Sequence, residues 1–392
     1  MRRYYQGGDM QRVQSVDEMA AQAKRNLPAF AREYLLGGAE DELTLAANRA
    51  SFQSLSLQSR TLVPNHPPQL QSSMLGKPSA LPMAIGPTGF NGLLWPQADI
   101  LLATSAMKAS IPFCLSTVAN ASVEQVRQAC PQLDFWFQLY ALKDAGIQQD
   151  LLQRARDAGV DTLVITSDAL VVGNREWDRR NFSAPRQLTF RNQLDVLLHP
   201  QWLRRVMLSG SDGIGLPSMG NLNPYLPAGQ RSALGAMQFI AEQLNVLLSW
   251  DDLATLRAQW PGKLVLKGVL HPGDALLALD AGVDALVVSN HGGRQLDGAI
   301  SSMAALGPIV EVVDGRIPVL LDSGIRRGVD VIKAISCGAS GVLLGRATLF
   351  GVAAAGEAGS DRVLALLQEE MARAMNLMGC SSLAELAELN PG

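Results

Sequence analysis

DAGVDTLVITS, residues 157–167, returns almost unchanged as DAGVDALVVSN at 280–290. Each copy reads as a helix end, a glycine turn and a β-branched run suited to a buried strand. Working outward, the same kind of run recurs as LPMAIGP (81–87), IPFCLS (111–116), DFWFQLY (134–140), DTLVITSD (161–168), KLVLKGV (263–269), DALVVSNHGG (284–293), IPVLLDSG (317–324) and SGVLLGR (340–346). Near-continuous apolar strands alternating with helical patterns belong to parallel sheets covered by helices. Eight of them, built on a repeated βα unit, predict an α/β fold of the closed (β/α)8 TIM-barrel type. An open doubly wound sheet also repeats βα units, so the pattern alone leaves it as the alternative.

The run starts are separated by 30, 23, 27, 102, 21, 33 and 23 residues, and one interval is too long for a single crossover helix. An insertion is therefore expected at about 171–262, after the fourth strand. Helical patterns span Val16 to Leu36 and should end at a C-cap glycine in Gly37-Gly38. Asp361 to Met378 reads as a final amphipathic helix. The chain is thus predicted to be one unit over 1–392, with an N-terminal helical extension (11–80), a barrel (81–360) and a C-terminal helix and tail (361–392).

The 392 residues carry 33 Lys+Arg against 36 Asp+Glu, a net charge of −3, with 47% apolar residues. That leaves no basic excess for nucleic acid, which is not expected as a partner. The longest uncharged stretch, Pro78 to Ala98, holds four prolines and three glycines, which a plain transmembrane helix would not. The basic start is not followed by an apolar stretch, and the four cysteines form no CxxC pair, so a reducing cytoplasm is expected and no metal site.

In such a barrel the chemistry sits at the C-terminal strand ends. Here those ends are polar: Thr88, Ser116, Gln138 and Tyr140, Thr166 and Asp168, Lys267, His291 and Arg294, Asp322 and Ser323, and Arg346. A single Ser or Thr at a strand end usually serves a turn, but eight polar ends together suggest a site. Of the four histidines, His66, His199 and His271 each precede proline, whereas His291 closes a strand ahead of a glycine pair and Arg294. Imidazole suits proton removal near neutral pH, guanidinium grips carboxylates, and Asp168 could orient the imidazole. DSGIRRG (322–328) and LLGR (343–346) follow runs seven and eight, where barrels commonly hold phosphate.

Together these segments resemble the FMN-dependent 2-hydroxy-acid dehydrogenase/oxidase family over nearly the whole chain. The resemblance rests on LPAFAREYLLGGAEDE (27–42), GPTGFNGLLWP (86–96), LSTVAN (115–120), WFQLY (136–140), LVITSD (163–168), LKG (266–268), SNHGGRQLD (289–297), DSGIRRG and GRA. GPTG followed by NG and WP is most similar to the bacterial (S)-mandelate dehydrogenases. The resemblance implies a flavoprotein with FMN that oxidises a small mandelate-like (S)-2-hydroxy acid to the 2-oxo acid. His291 would be the base, paired with Asp168, and Tyr140, Arg175 and Arg294 would hold substrate. Flavin contacts would come from Pro87, Thr88, Gly89, Ser116, Gln138, Thr166, Lys267, Ser289, Asp322 and Ser323, and phosphate contacts from Gly324, Arg326, Gly345 and Arg346.

Two positions qualify this. Relatives usually carry tyrosine two residues before the tyrosine of YLLGGAED (34–41), where its hydroxyl helps bind the carboxylate; here that position is Arg32, which either grips the carboxylate or points to solvent, and is assigned to substrate binding. Gly89 stands where oxidase-type relatives often have alanine, which leans towards a dehydrogenase passing electrons to a quinone. An L-lactate or glycolate oxidase using oxygen is the alternative, and a phosphate-binding barrel isomerase is the alternative of another class.

Residues 171–210 hold seven arginines, no lysine and three acids, interleaved with Trp177, Phe182, Phe190 and Trp202. That composition suits either an active-site lid or an interfacial membrane segment. The resemblance adds peripheral membrane contact through 171–221, on the inner face of the cell membrane, and a homo-oligomer, a tetramer.

Overall fold

The computed structural model describes residues 4–64, 66–184, 187–208, 215–227 and 230–388. Eight parallel strands close into a barrel: β1 (Met83–Ile85), β2 (Phe113–Ser116), β3 (Phe135–Leu139), β4 (Thr162–Thr166), β5 (Lys263–Val269), β6 (Ala285–Val288), β7 (Val319–Leu321) and β8 (Gly341–Leu344). Closure is made by β8 against β1, with Val342 opposite Met83 and Leu344 opposite Ile85. Each strand lies within one of the eight apolar runs, and the open-sheet alternative is excluded.

Because successive side chains on a strand face opposite ways, each run feeds two cores. Ala84, Cys114, Trp136, Val164, Val265, Val287, Leu320 and Leu343 cluster inside the barrel. Their neighbours Ile85, Leu115, Phe137, Ile165 and Leu321 join the larger layer between strands and helices. A short hairpin, Ser72–Met74 with Lys77–Ser79, lies at the N-terminal end of the barrel, and Met74 packs close to Gly341 at the start of β8. The site is left to the opposite rim.

The N-terminal pattern resolves into helices Val16–Asn26 and Ala29–Leu36 rather than one. Leu27 is extended (φ −99°, ψ 136°) because Pro28 follows it, and a residue before proline is driven out of the helical region. Gly37 is the C-cap, but in an extended conformation (φ −63°, ψ 147°) instead of the left-handed one. The final helix starts earlier than expected, at Arg346, and runs to Met378 with a break at Ala355-Gly356, where Gly356 packs on the Trp95 indole.

Between β4 and β5 the chain forms a short helix Glu176–Arg180, an antiparallel pair Phe182–Ala184 with Gln187–Leu188, and helices Phe190–Leu197, Ala233–Gln243 and Trp250–Gln259. Residues 185, 186 and 209–214 of the expected membrane segment, and the tail 389–392, lie outside the described residues. Trp202 does not face solvent as an interfacial aromatic would. It is buried, donates to the Leu93 carbonyl at 2.8 Å and meets Phe30 edge-on. Among the described residues no helix is long and apolar enough to cross a membrane.

Candidate active site

Residues His291, Gly292 and Gly293 follow β6 with φ of 57°, 70° and 72°. This is the left-handed region, which glycine enters freely and histidine only under strain. The turn is held from both sides: His291 N–H donates to Ser289 Oγ (3.0 Å), Gly292 N–H donates to Ser323 Oγ (3.0 Å), and Arg346 donates to the Gly292 carbonyl (2.7 Å). Asn290 pairs with Asn48, and Asp297 accepts the Leu43 and Thr44 amides, so the SNHGGRQLD segment is clamped onto the N-terminal extension.

The fixed His291 places Nδ1 2.9 Å from Asp168 Oδ1. With Nδ1–H donated to the carboxylate, Nε2 keeps its lone pair, the state a general base requires. Gly268 (φ 112°) makes room for this pair, since a Cβ there would stand 2.7 Å from Asp168 Cβ. Burial works against the Asp168 charge, but its pairing with His291 and the charge of Lys267 prevail and hold its carboxyl below the usual carboxylate range.

Lys267 is buried and makes contacts to Ser289 Oγ (2.9 Å) and Asp322 Oδ2 (3.0 Å). Burial opposes its charge, yet Asp322 and Asp168 outweigh it and raise the ammonium above its ordinary value, so it is a permanent cation. Tyr140 is pushed up to about 12 by burial and then by Asp168, against the charge of Lys267, so its phenol stays protonated.

These groups face a cavity of about 480 Å³, in the range of small-molecule sites. On its wall stand Lys267, Arg175, Arg294, Arg326 and Arg346 with Asp322 as the sole carboxylate among the described residues. The crowding of cations is felt by the arginines: burial, then Arg294 and Arg326, push Arg346 well below the ordinary value, and burial, then Arg49, bring Arg326 to about 10. An anion placed here would relieve that repulsion. Arg346 opens the last helix directly after β8, and Gly324 (φ 93°) and Ser323 (φ 77°) turn the chain after β7, next to it on the rim. The opposite wall is apolar and comes largely from the insertion, with Met219, Met237, Ile240, Ala241 and Leu244 beside Val118.

Pro87, Thr88, Gly89, Ser116, Tyr140, Arg175, Lys267, His291, Arg294, Asp322, Ser323, Gly324, Arg326, Gly345 and Arg346 all line this cavity. Asp168, Gln138, Thr166 and Ser289 lie off the wall. Ser289 is fully buried and holds Lys267 and the His291 amide, which makes it a support for those residues and not a cavity contact. Gln138 receives the Ser116 hydroxyl on Oε1 (2.7 Å) and leaves Nε2 buried without a partner among the described residues.

Arg32 is displaced from its expected role. It does not line the cavity, is one-third exposed and lies 3.7 Å from Glu33. Residues two apart on a helix do not share a face, and the face turned to the cavity is that of Tyr34. Tyr34 donates to the Gly89 carbonyl (2.8 Å) and lies beneath the Arg294 guanidinium, 5.2 Å from the ring centre. Asp178 was also missed: its Oδ2 is 3.7 Å from both Arg175 and Arg294. Tyr34 stood in a quoted segment, but nothing local signalled which of its neighbours faces inward. Asp178 read as an ordinary charge on a basic loop.

The family model described as FMN-dependent dehydrogenase matches residues 23–390. The chain belongs to that family. It is 41% identical to (S)-mandelate dehydrogenase of Pseudomonas putida over 96% of this chain and 93% of that protein. It is 40% identical to L-lactate dehydrogenase of Yersinia pestis (strain Pestoides F), over 95% of this chain and 96% of that one. Among solved structures, the monotopic membrane protein (S)-mandelate dehydrogenase superposes with a TM-score of 0.90 at 40% identity, covering 95% of this chain and 97% of that chain. A mandelate oxidase superposes with 0.80 at 33% identity, over 95% and 97%. Family membership makes FMN the cofactor and dehydrogenation the chemistry, and it removes the isomerase reading.

The residues present fit such a cofactor. The unpartnered Gln138 amide offers a buried donor, Lys267 a permanent cation, and the Arg326–Arg346 rim an anion site.

Proposed function

We propose that this family member oxidises the C2 hydroxyl of a mandelate-like (S)-2-hydroxy acid to the 2-oxo acid and passes the electrons to a quinone at a membrane surface. The observation that carries the chemistry is His291, backed by Asp168, facing one cavity with Arg175 and Arg294.

FMN, when bound, supplies the two-electron acceptor. It would be held by Pro87, Thr88, Gly89, Ser116, Gln138 and Lys267 around the ring, and by Gly324, Arg326, Gly345 and Arg346 at the phosphate. Arg175 and Arg294 bind the substrate carboxylate and orient C2, with the Tyr140 phenol donating nearby and the Tyr34 ring packed beneath Arg294. His291 Nε2 takes the proton, and Asp168 stabilises the imidazolium that results. Lys267 favours negative charge developing beside it. Val118, Met219, Met237 and Ile240 give the substrate side chain an apolar wall that excludes water, which suits an aryl group better than a methyl.

Peripheral membrane placement is supported by the monotopic relative and by exposed Val171, Trp177, Phe190 and Leu198 in the insertion. The purified protein should be yellow, with absorbance near roughly 370 and 450 nm, bleached anaerobically by mandelate. Reduced protein should then be reoxidised faster by a quinone than by oxygen; the reverse order, with lactate or glycolate the better substrate, would establish the oxidase reading instead.

A further inference from the structure

A second concavity, about 290 Å³, shares no lining residue with the active-site cavity. It lies between the C-terminus of the Val16–Asn26 helix, the Leu94–Pro96 turn and the Leu198–Val206 stretch of the insertion. Its wall bears Arg25, His199 and Arg205 and no carboxylate, with the Trp95 and Trp202 indoles between them. Arg205 lies over the Trp95 ring at 4.5 Å, and neither it nor Arg25 has a carboxylate partner among the described residues. The nearby Asp195 is already engaged by the Ala29 amide, and its carboxylate stands 3.8 Å from His199.

One wall residue, Leu198, is also the end of an apolar stripe. Phe190, Leu194, Leu197 and Leu198 follow the i, i+4, i+7, i+8 spacing of a single helix face and are 73%, 47%, 63% and 78% exposed. The other side of the same helix is anchored by buried Asn192 and Val196. A soluble surface rarely leaves such a stripe uncovered. Two arginines without a carboxylate partner among the described residues, set at the end of an apolar helix face, present two chemistries in series, and an anionic amphiphile matches both.

We propose that the pocket lined by Arg25, His199 and Arg205 takes the phosphate of an anionic phospholipid headgroup, whose acyl chains run along Leu198, Leu197, Leu194 and Phe190. This deepens, and rests on, the membrane-surface reading above. The volume suits a headgroup and not a whole lipid, and the stripe supplies the apolar continuation.

The test uses the FMN-loaded protein, sedimented with vesicles of phosphatidylcholine alone or with added phosphatidylglycerol. Binding should be tighter to the anionic vesicles. Arg25→Gln and Arg205→Gln should each lose about fivefold of that affinity, about thirtyfold together, as expected for charges near an anionic surface. Turnover with a soluble dye acceptor should be unchanged in both. Dihexanoyl phosphatidylglycerol below its micelle concentration should change tryptophan fluorescence saturably, and the double variant should abolish the change. Leu197→Ser with Leu198→Ser should weaken binding to both kinds of vesicle.

Equal binding to neutral and anionic vesicles, or as large a loss from Arg191→Gln as from Arg205→Gln, would overturn the pocket and leave the membrane reading standing. Inorganic phosphate giving the same saturable fluorescence change at the same concentration would make the ligand free phosphate and also overturn it. Absence of binding to any vesicle would overturn both readings.

Discussion

His291 Nδ1 stands 2.9 Å from Asp168 Oδ1, joining the end of β6 to the end of β4 across the barrel mouth. Asp168→Asn keeps the shape but can donate to Nδ1, which moves the ring proton to Nε2 and removes the base. Steady-state turnover should fall by about 10²–10⁴ with KM little changed. Because the Asp168 carboxyl titrates below the usual carboxylate range, it remains ionised as pH falls through that range. The acid limb of the wild-type rate profile should therefore belong to a group other than Asp168, with no limb in the ordinary carboxylate range.

Gly89 packs against Val118, and a Cβ on Gly89 would stand 2.4 Å from Val118 Cγ2. Since both residues line the cavity, Gly89→Ala must push the valine or the backbone towards the bound cofactor. Flavin reduction should slow by about tenfold, in line with the cost of a modest overpacking. Val118→Ala, added to Gly89→Ala, should restore most of the loss. A double-mutant cycle with no coupling would refute the contact as the cause.

Asp178 Oδ2 lies 3.7 Å from both Arg175 and Arg294, and its Oδ1 is buried without a partner among the described residues. Burial, then the neighbouring Arg175, lower the Arg294 pKa, and Asp178 acts against both. Asp178→Asn should let the two guanidinium groups spread apart, raising KM for the hydroxy acid about tenfold while kcat changes less. Asp178→Glu should recover part of the affinity. A fall in kcat at constant KM would contradict this positioning role.

Glu124 receives Arg154 through two contacts, of 2.7 and 3.1 Å, between neighbouring barrel helices. Partial burial alone would raise its pKa, but the hydrogen bonds and charge of Arg154 bring it down to about 2. A depressed carboxylate pKa stabilises the fold above the unfolded value of about 4.5, and that contribution disappears as pH falls towards the folded value. With half of the side chain exposed, the effect should stay near 1 kcal/mol or less. The Tm of Glu124→Gln should thus lie below wild type at neutral pH, with the gap closing under acid.

Much of this architecture could be read from local pattern. All eight barrel strands coincide with apolar runs because a strand buried on both faces needs apolar residues at every position, a signal that survives without neighbours. Helix limits were less legible. One proline, Pro28, splits the N-terminal helix, and the small-residue start of the last helix concealed about two and a half turns of it before the break at Ala355-Gly356. Trp202 looked interfacial by composition but is buried against Phe30, a contact between residues far apart in the chain.

Residue chemistry and spacing were enough to establish eight buried parallel strands and the residues at their polar ends, since strand period and turn chemistry are properties of a few consecutive residues, while closure into a barrel rather than an open sheet came from the tertiary structure. Which of those residues meet was settled only by closure of the barrel. Asp168 reaches His291, Asp178 sits between two arginines, and Tyr34 turns inward where Arg32 turns away. Each depends on the direction of a side chain relative to an element distant in sequence, and that direction exists only once the strands are side by side and the extension and insertion are packed on the rim.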